Sequence, residues 1–240
     1  MSKPPRQKTY YGVSVGILMV KTHFRRYLGD IGHAGTWPFP VQYRIVEDAV
    51  PARMTELHHS SLLEPFKKAA RELVEAGVDG ITTTCGFLSI YQQELADYCG
   101  VPVATSALLQ VPIVKRLIAS SKQVGILTYN AQSLGGKYLE AVGIDPSTPV
   151  FGMPQDSEFV RSIREGDDTV PYATLREEVL ALAGRLLQAH PEVGAIVLEC
   201  TNLAPFTADI QATYGVPVYD TVSLVNWFHA GLRPRRYEAQ

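Results

Sequence analysis

Cysteine is scarce in this 240-residue chain, with Cys85, Cys99 and Cys200 the only three. So small and odd a count excludes a disulfide-stapled scaffold and fits a reduced, cytoplasmic setting. Net charge is equally thin, at 22 Lys and Arg against 24 Asp and Glu. No strong field is available to grip a phosphate backbone, so no nucleic acid partner is expected. The one basic cluster, Arg233-Pro-Arg235-Arg236, reads as a solvated tail. Long apolar runs are missing too. The run from Tyr10 to Val20 follows Lys3, Arg6 and Lys8 and resembles the start of a signal peptide, but Lys21, Arg25 and Arg26 follow it with no small-residue cleavage pattern. It is too short to cross a bilayer, so it reads as a first buried strand and no membrane partner is expected.

Several chemistries lack their motifs. There is no Gly-x-Gly-x-x-Gly turn or Walker loop to cradle a nucleotide, and no Gly-x-Ser-x-Gly elbow. The six histidines, at 23, 33, 58, 59, 190 and 229, form no i,i+4 pair, and no Cys-x-x-Cys occurs. Neither a metal nor a cofactor is therefore expected. What is present is apolar material, 46% of the residues, which excludes disorder and supplies a real core.

That material is organised as an internal repeat. Val78-Asp-Gly-Ile81-Thr-Thr-Thr-Cys85-Gly-Phe-Leu88 runs on to Gly100-Val-Pro-Val103 and Leu109. Val193-Gly-Ala-Ile196-Val-Leu-Glu-Cys200-Thr-Asn-Leu203 runs on to Gly215-Val-Pro-Val218 and Leu224, at a constant offset of 115 residues. Roughly nine identities fall in about 32 positions, and chance rarely repeats both residue type and register. Upstream, Val15-Gly-Ile-Leu18 is echoed by Val124-Gly-Ile-Leu127, each opening its half.

Short apolar runs bounded by Gly and Pro alternate with amphipathic stretches, the pattern of βαβ units. Strands are predicted near 13–20, 42–46, 80–84 and 101–104, then 124–129, 150–152, 195–198 and 216–219. Helices are predicted over 62–76, 89–98 and 106–119, then 133–141, 172–189, 204–213 and 223–229. Ser89-x-x-Gln92 has capping-box spacing, and Pro205 suits a first helical turn after Asn202. The expected fold is α/β: two pseudo-twofold-related lobes, each a mainly parallel sheet flanked by helices, with the active site in the interlobe cleft. Residues 1–119 form the first lobe, with 220–240 packing back near it, and 120–219 form the second. Apolar surface on the flanking helices could support a homo-oligomer.

Both repeated cysteines follow a strand end and precede a helix, the edge where open α/β sheets bind ligands. Orphan backbone N–H groups and a helix dipole there are expected to lower the thiol pKa. Cys99 has Tyr214 as its repeat equivalent and reads as core filler. Two thiols on opposite faces of a planar carbanion give racemisation beside a carboxylate, one abstracting and one donating, if the site stabilises the charge. The N–H groups of Gly86 and Thr201 would do so, with the side chains of Thr83, Thr84, Thr201 and Asn202. Tyr129 and Asn130 end the strand that opens the second lobe and face the same crevice.

Two α/β lobes that each give a strand-end cysteine to one cleft resemble the aspartate/glutamate/hydantoin racemase superfamily, over most of the chain. Glu199-Cys-Thr-Asn202 is similar to the Cys-Thr-His turn of the glutamate racemases, with Asn202 in place of His. Thr82-Thr-Thr-Cys85-Gly-Phe87 has Gly-Phe where those enzymes have Asn-Thr, and Met19-Val-Lys-Thr-His23 replaces their Asp-Ser-Gly turn. Gly29-Asp-Ile-Gly-His33, Cys85-Gly-Phe87, Gln110-Val-Pro112 and Glu199-Cys-Thr201 also resemble the dimethylsulfoniopropionate lyases of marine algae, a branch of that superfamily. Thr84 and Asn202 stand where those lyases carry acidic residues. The resemblance implies a cofactor-independent isomerase, a racemase or epimerase with Cys85 and Cys200 as acid/base pair on a small carboxylate or amino-acid-like substrate. Phe87 joins the implied contacts. Elimination of the lyase type, decarboxylation or cis-trans isomerisation on the same scaffold, and non-catalytic small-molecule binding are the alternatives.

The stretch Tyr27 to Arg44 has no repeat partner and carries Gly29, Gly32, Gly35, Pro38 and Pro40, so it reads as a loop. Two readings stay open: a surface connection stapled by Trp37 and Phe39, or a specificity loop with Asp30 and His33 as polar contacts. Glu165-Gly-Asp-Asp168 reads as a solvated turn.

Overall fold

The computed structural model describes residues 11–50, 54, 62–235 and 237–238. Lys3, Arg6, Lys8, Tyr10, His58, His59 and Arg236 lie outside them.

Among the described residues, eight short strands form two four-stranded parallel sheets with the same internal order. In the first, β1 (Val15–Val20) lies between β2 (Val41–Val46) and β3 (Gly80–Thr83), with β4 (Val103–Ala104) beyond β3. In the second, β5 (Gln123–Thr128) lies between β6 (Val150–Gly152) and β7 (Val193–Leu198), with β8 (Val218–Tyr219) beyond β7. The sequence repeat becomes a repeat of register. Val15 pairs with Gly80 and its equivalent Val124 pairs with Ala195. Likewise Ile81 pairs with Val103, and Ile196 with Val218.

The central strands are buried and mostly apolar on both faces because both are covered, with Thr82 and Thr83 of β3 among the exceptions, each hydroxyl donating to a backbone carbonyl. On the first sheet Leu18 and Ile81 face α1 (Leu63–Ala76) and α2 (Gln92–Cys99), in a cluster with Phe66 and Leu95. On the second, Leu127 and Leu198 face α6 (Tyr172–Ala189) and α7 (Thr207–Tyr214), with Leu182 and Ile210. The opposite faces are covered by exchange. Val111 and Val114 of α3 (Val111–Leu117) pack on Val124, Ile126, Ala195 and Val197 of the second sheet. Val225 and Phe228 of α8 (Thr221–Leu232) pack on Val15 and Ile17 of the first. Each half of the chain therefore closes the other half's core.

Several local expectations need correction. The residues after each cysteine start as 3-10 turns, Gly86–Tyr91 and Thr201–Phe206, and become α-helix only at Gln92 and Thr207. Pro205 lies inside the second of these turns, where its missing N–H is tolerated. The Ser89–Gln92 capping box does not form. Ser89 is buried and its hydroxyl donates to the Tyr138 carbonyl, while Gln92 bonds Thr105 N and the Val103 carbonyl. Residues 106–119 hold a 3-10 turn, Ala107–Gln110, before α3, and 133–141 shrink to α4 (Gly136–Glu140). The helix α5 (Glu158–Glu165) was not anticipated. Its signals were a Ser157 cap, Phe159 and Ile163 at i,i+4 spacing and Gly166 at its end, masked by a polar composition. Asp167 just beyond it pairs with Arg161 at 2.7 Å, so the segment is tied down.

Among the described residues no helix is long and apolar enough to cross a membrane, and no cluster of three His, Cys, Asp or Glu could hold a metal ion.

Candidate active site

The first and third strands of each sheet end at a common crevice, and a cavity of about 560 Å³, mouth included, opens there. Its wall takes Thr84, Cys85, Gly86 and Phe87 from the turn after β3, and Glu199, Cys200, Thr201 and Asn202 from the turn after β7. Tyr129 at the end of β5 and Val20, Thr22, Phe24 and Arg26 after β1 complete much of the remainder. The two turns are joined directly, since the Thr201 hydroxyl donates to the Thr84 carbonyl at 3.0 Å across the lobes.

Eight of the twelve residues singled out from the sequence thus line one cavity. Four do not. Thr83 turns its hydroxyl to the Thr105 carbonyl at 2.6 Å, stitching β3 to the segment after β4. Asn130 accepts from the backbone N–H groups of Gln132 and Ser133, an Asx turn that starts the loop toward α4. His33 caps a short 3-10 turn by accepting from Gly35 N. Asp30 is 2% exposed and lines a smaller neighbouring cavity, yet it is bonded to the site. Its Oδ2 accepts from Asn202 Nδ2 at 2.8 Å, and its Oδ1 pairs with Arg26 at 2.5 Å and accepts from Gly32 N. The loop that carries Asp30 is stapled as one of the two readings has it. Trp37 is buried with its indole N–H on the Ile31 carbonyl, and Phe39 stacks on His229 at 3.8 Å.

Arg26 and Glu199 were missed. Arg26 is the only Lys or Arg among the described residues that line the cavity. Nothing in its local sequence separates it from Arg25. Glu199 is 1% exposed, with the Thr128 hydroxyl donating to Oε2 at 2.5 Å and no partner for Oε1. Its signal was a carboxylate directly following a wholly apolar strand, where an ionisable group is costly to bury.

Burial reverses the expected thiol electrostatics. Cys85 is half-buried and its pKa is pushed up to about 12, by desolvation first and then by the Glu199 carboxylate. Cys200 is held well above the ordinary thiol value by the same two causes, with Cys85 and Asp30 adding to them. Backbone N–H donors do reach the sulfurs, those of Phe87 and Asn202, but they do not outweigh dehydration. Glu199 itself is raised from 4.5 to about 7 by burial, against the Thr128 hydrogen bond.

The Glu199 shift carries a stability consequence. Between the two pKa values the folded chain holds a proton that the unfolded chain has lost, so stability is fully present below about pH 4.5 and is lost as pH rises through about 7. Glu199→Gln removes this titration. The wild-type thermal midpoint is expected to fall more from about pH 5 to pH 8 than that of Glu199→Gln, and parallel profiles would exclude a buried protonated Glu199.

No family model matches the chain. Among solved structures it is similar to unliganded arylmalonate decarboxylase, with a TM-score of 0.65 at 15% identity over 95% of this chain and 96% of that one. A glutamate racemase from Bacillus anthracis gives 0.62 at 13% identity over 92% and 83% of the two chains. Allantoin racemase from Klebsiella pneumoniae gives 0.61 at 18% over 92% and 87%. The class is therefore that of the two-lobed racemase and decarboxylase fold.

Sequence likeness narrows this. The dimethylsulfoniopropionate lyase of Durusdinium sp. clade D is 30% identical over 242 residues, 95% of this chain and 79% of that protein. Dimethylsulfoniopropionate lyase 3 of Emiliania huxleyi is 30% identical over 235 residues, 91% of this chain but 60% of that longer protein. The chain belongs to the dimethylsulfoniopropionate lyase family.

Proposed function

We propose that the protein is a lyase that removes a proton beside the carboxylate of a small zwitterionic substrate and expels a sulfonium group from the next carbon. Dimethylsulfoniopropionate is the candidate substrate. The observation that carries this reading is the charge inventory of the cavity: one guanidinium, Arg26, one buried carboxyl with a free oxygen, Glu199, and two thiols. Arg26 spends one N–H on Asp30 and one on Thr22, and its remaining donors suit one carboxylate, while Glu199 suits a cation. A dicarboxylate would set its second anion against Glu199 with no second cation in the wall.

The thiols are neutral in the resting site, and a bound cation supplies what they lack. A sulfonium beside Cys85 and Cys200 opposes the Glu199 field and favours a thiolate. That thiolate takes the α-proton, the C–H electron pair becomes the C=C bond, and the C–S pair departs on sulfur. The products are dimethyl sulfide and acrylate, with one proton released overall. Preorganised N–H donors and a dehydrated wall favour the developing charge.

Racemisation or epimerisation by Cys85 and Cys200 is the second reading, favoured by two thiols at repeat-equivalent positions on one cavity. The two readings part in D₂O. With dimethylsulfoniopropionate, headspace dimethyl sulfide and acrylate are expected in equal amounts. Exchange of the α-proton and loss of optical rotation in chiral carboxylates, with no dimethyl sulfide, would assign racemisation instead.

A further inference from the structure

The repeat makes the two cysteines equivalent in backbone position but not in surroundings. The residue two beyond Cys200 is Asn202, and its repeat equivalent beyond Cys85 is Phe87. Asn202 Oδ1 lies 3.7 Å from Cys200 Sγ, within reach of a thiol donor. Its amide orientation is dictated from the other side. Asp30, ion-paired with Arg26, can only accept, so Asn202 Nδ2 faces Asp30 and Oδ1 faces the sulfur. Asp30 is locked in turn by Gly32 N and by Arg26, whose second nitrogen donates to Thr22 Oγ1 at 2.9 Å. Backbone N–H groups serve both sulfurs alike, but the Phe87 side chain is only an apolar ring, packed edge-on against Tyr138 at 5.4 Å.

We infer that Asp30 and Asn202 are positioning residues that hold Cys200 as a thiol, so that Cys85 is the cysteine that ionises and takes the substrate proton. An amide oxygen accepts an S–H well and repels a thiolate. The groups facing each sulfur agree. Glu199 acts on both and does not separate them; Cys200 and Tyr138 face Cys85, whereas Cys85, Asp30 and Tyr129 face Cys200. Asp30, even paired with Arg26, adds its field on the Cys200 side. Elimination needs one base and no return of a proton to carbon, so an unequal pair suits a lyase. The inference rests on the proton-abstraction reading above.

Its test needs no substrate. The alkylation rate of each cysteine by iodoacetamide is followed against pH by peptide mass spectrometry, with the midpoint of each profile and not the absolute rate compared, so that unequal exposure does not enter. The Cys85 profile is expected to rise at lower pH than that of Cys200. Asp30→Asn frees the Asn202 amide to turn and removes the added anion, so Cys200 alkylation at fixed pH is expected to quicken roughly tenfold or more while Cys85 changes much less. A wild-type Cys200 midpoint at or below that of Cys85, or equal acceleration of both in Asp30→Asn, would overturn the inference. The wild-type comparison decides alone if Asp30→Asn fails to fold. Expected alkylation order without dimethyl sulfide release would sink the lyase reading only, and the reverse order with release would sink this inference only.

Discussion

Cys85→Ser is expected to fold like the wild type and to lose turnover by about a thousandfold, in the range that removal of a positioned general base produces. Serine nearly matches cysteine in size, and Cys85 is half-buried, so packing changes little. The chemistry does not survive. A site that already pushes a thiol up to about 12 leaves a far less acidic hydroxyl with no accessible anion. Cys200→Ser is expected to lose less, because a hydroxyl still donates to Asn202 Oδ1. Initial rates of dimethyl sulfide release at saturating substrate, alongside circular dichroism of each variant, measure both. Losses below about tenfold in Cys85→Ser would remove that residue from the proton transfer.

Gly86→Ala is expected to cost about 3 kcal/mol or more of stability, at or beyond the upper end for overpacking. A Cβ there would lie 2.2 Å from Glu199 Oε1 and 2.5 Å from the Glu199 carbonyl oxygen. The side chain could turn aside, but the carbonyl cannot, because Glu199 N is bonded to the Leu127 carbonyl at 2.8 Å at the end of β7. The two lobes would have to part at the point where they carry the thiols. Gly100→Ala provides the contrast. It has nothing within 4 Å of its Cβ and a φ of +65°, so the cost is only the conformational one, about 1 kcal/mol. Urea unfolding of the two variants separates steric from conformational cost, and equal losses would show that Gly86 is not tightly packed.

The close packing of Gly86 on Glu199 is the kind of fact a sequence does not carry. The Thr-Cys-Gly-Phe and Glu-Cys-Thr-Asn turns were readable as a related pair, because each ends a short apolar run at a constant offset. That they touch, through the Thr201 hydroxyl and the Thr84 carbonyl, is a contact between lobes. The same gap explains the misplaced residues. Thr83, Asn130 and His33 have the chemistry of ligands, but each spends it on backbone: Thr83 on the segment after the neighbouring strand, Asn130 on an Asx turn and His33 on a 3-10 cap. Short polar side chains near turns have such partners close at hand.

By itself the sequence determined the architecture: two α/β lobes, the order of the strands and the two strand ends at which Cys85 and Cys200 stand. These follow from hydrophobic period and from Gly and Pro punctuation, which act over a few residues and leave a local record. Tertiary structure alone decided the state of the site. Asp30 reaches Asn202 across 172 residues of chain, Arg26 turns into the cavity while its neighbour Arg25 does not line it, and burial, with Glu199 second, raises two thiols that strand-end position alone would lower. Charge states depend on dehydration and on which charges stand a few ångströms away, and both are set by packing between segments far apart in the chain.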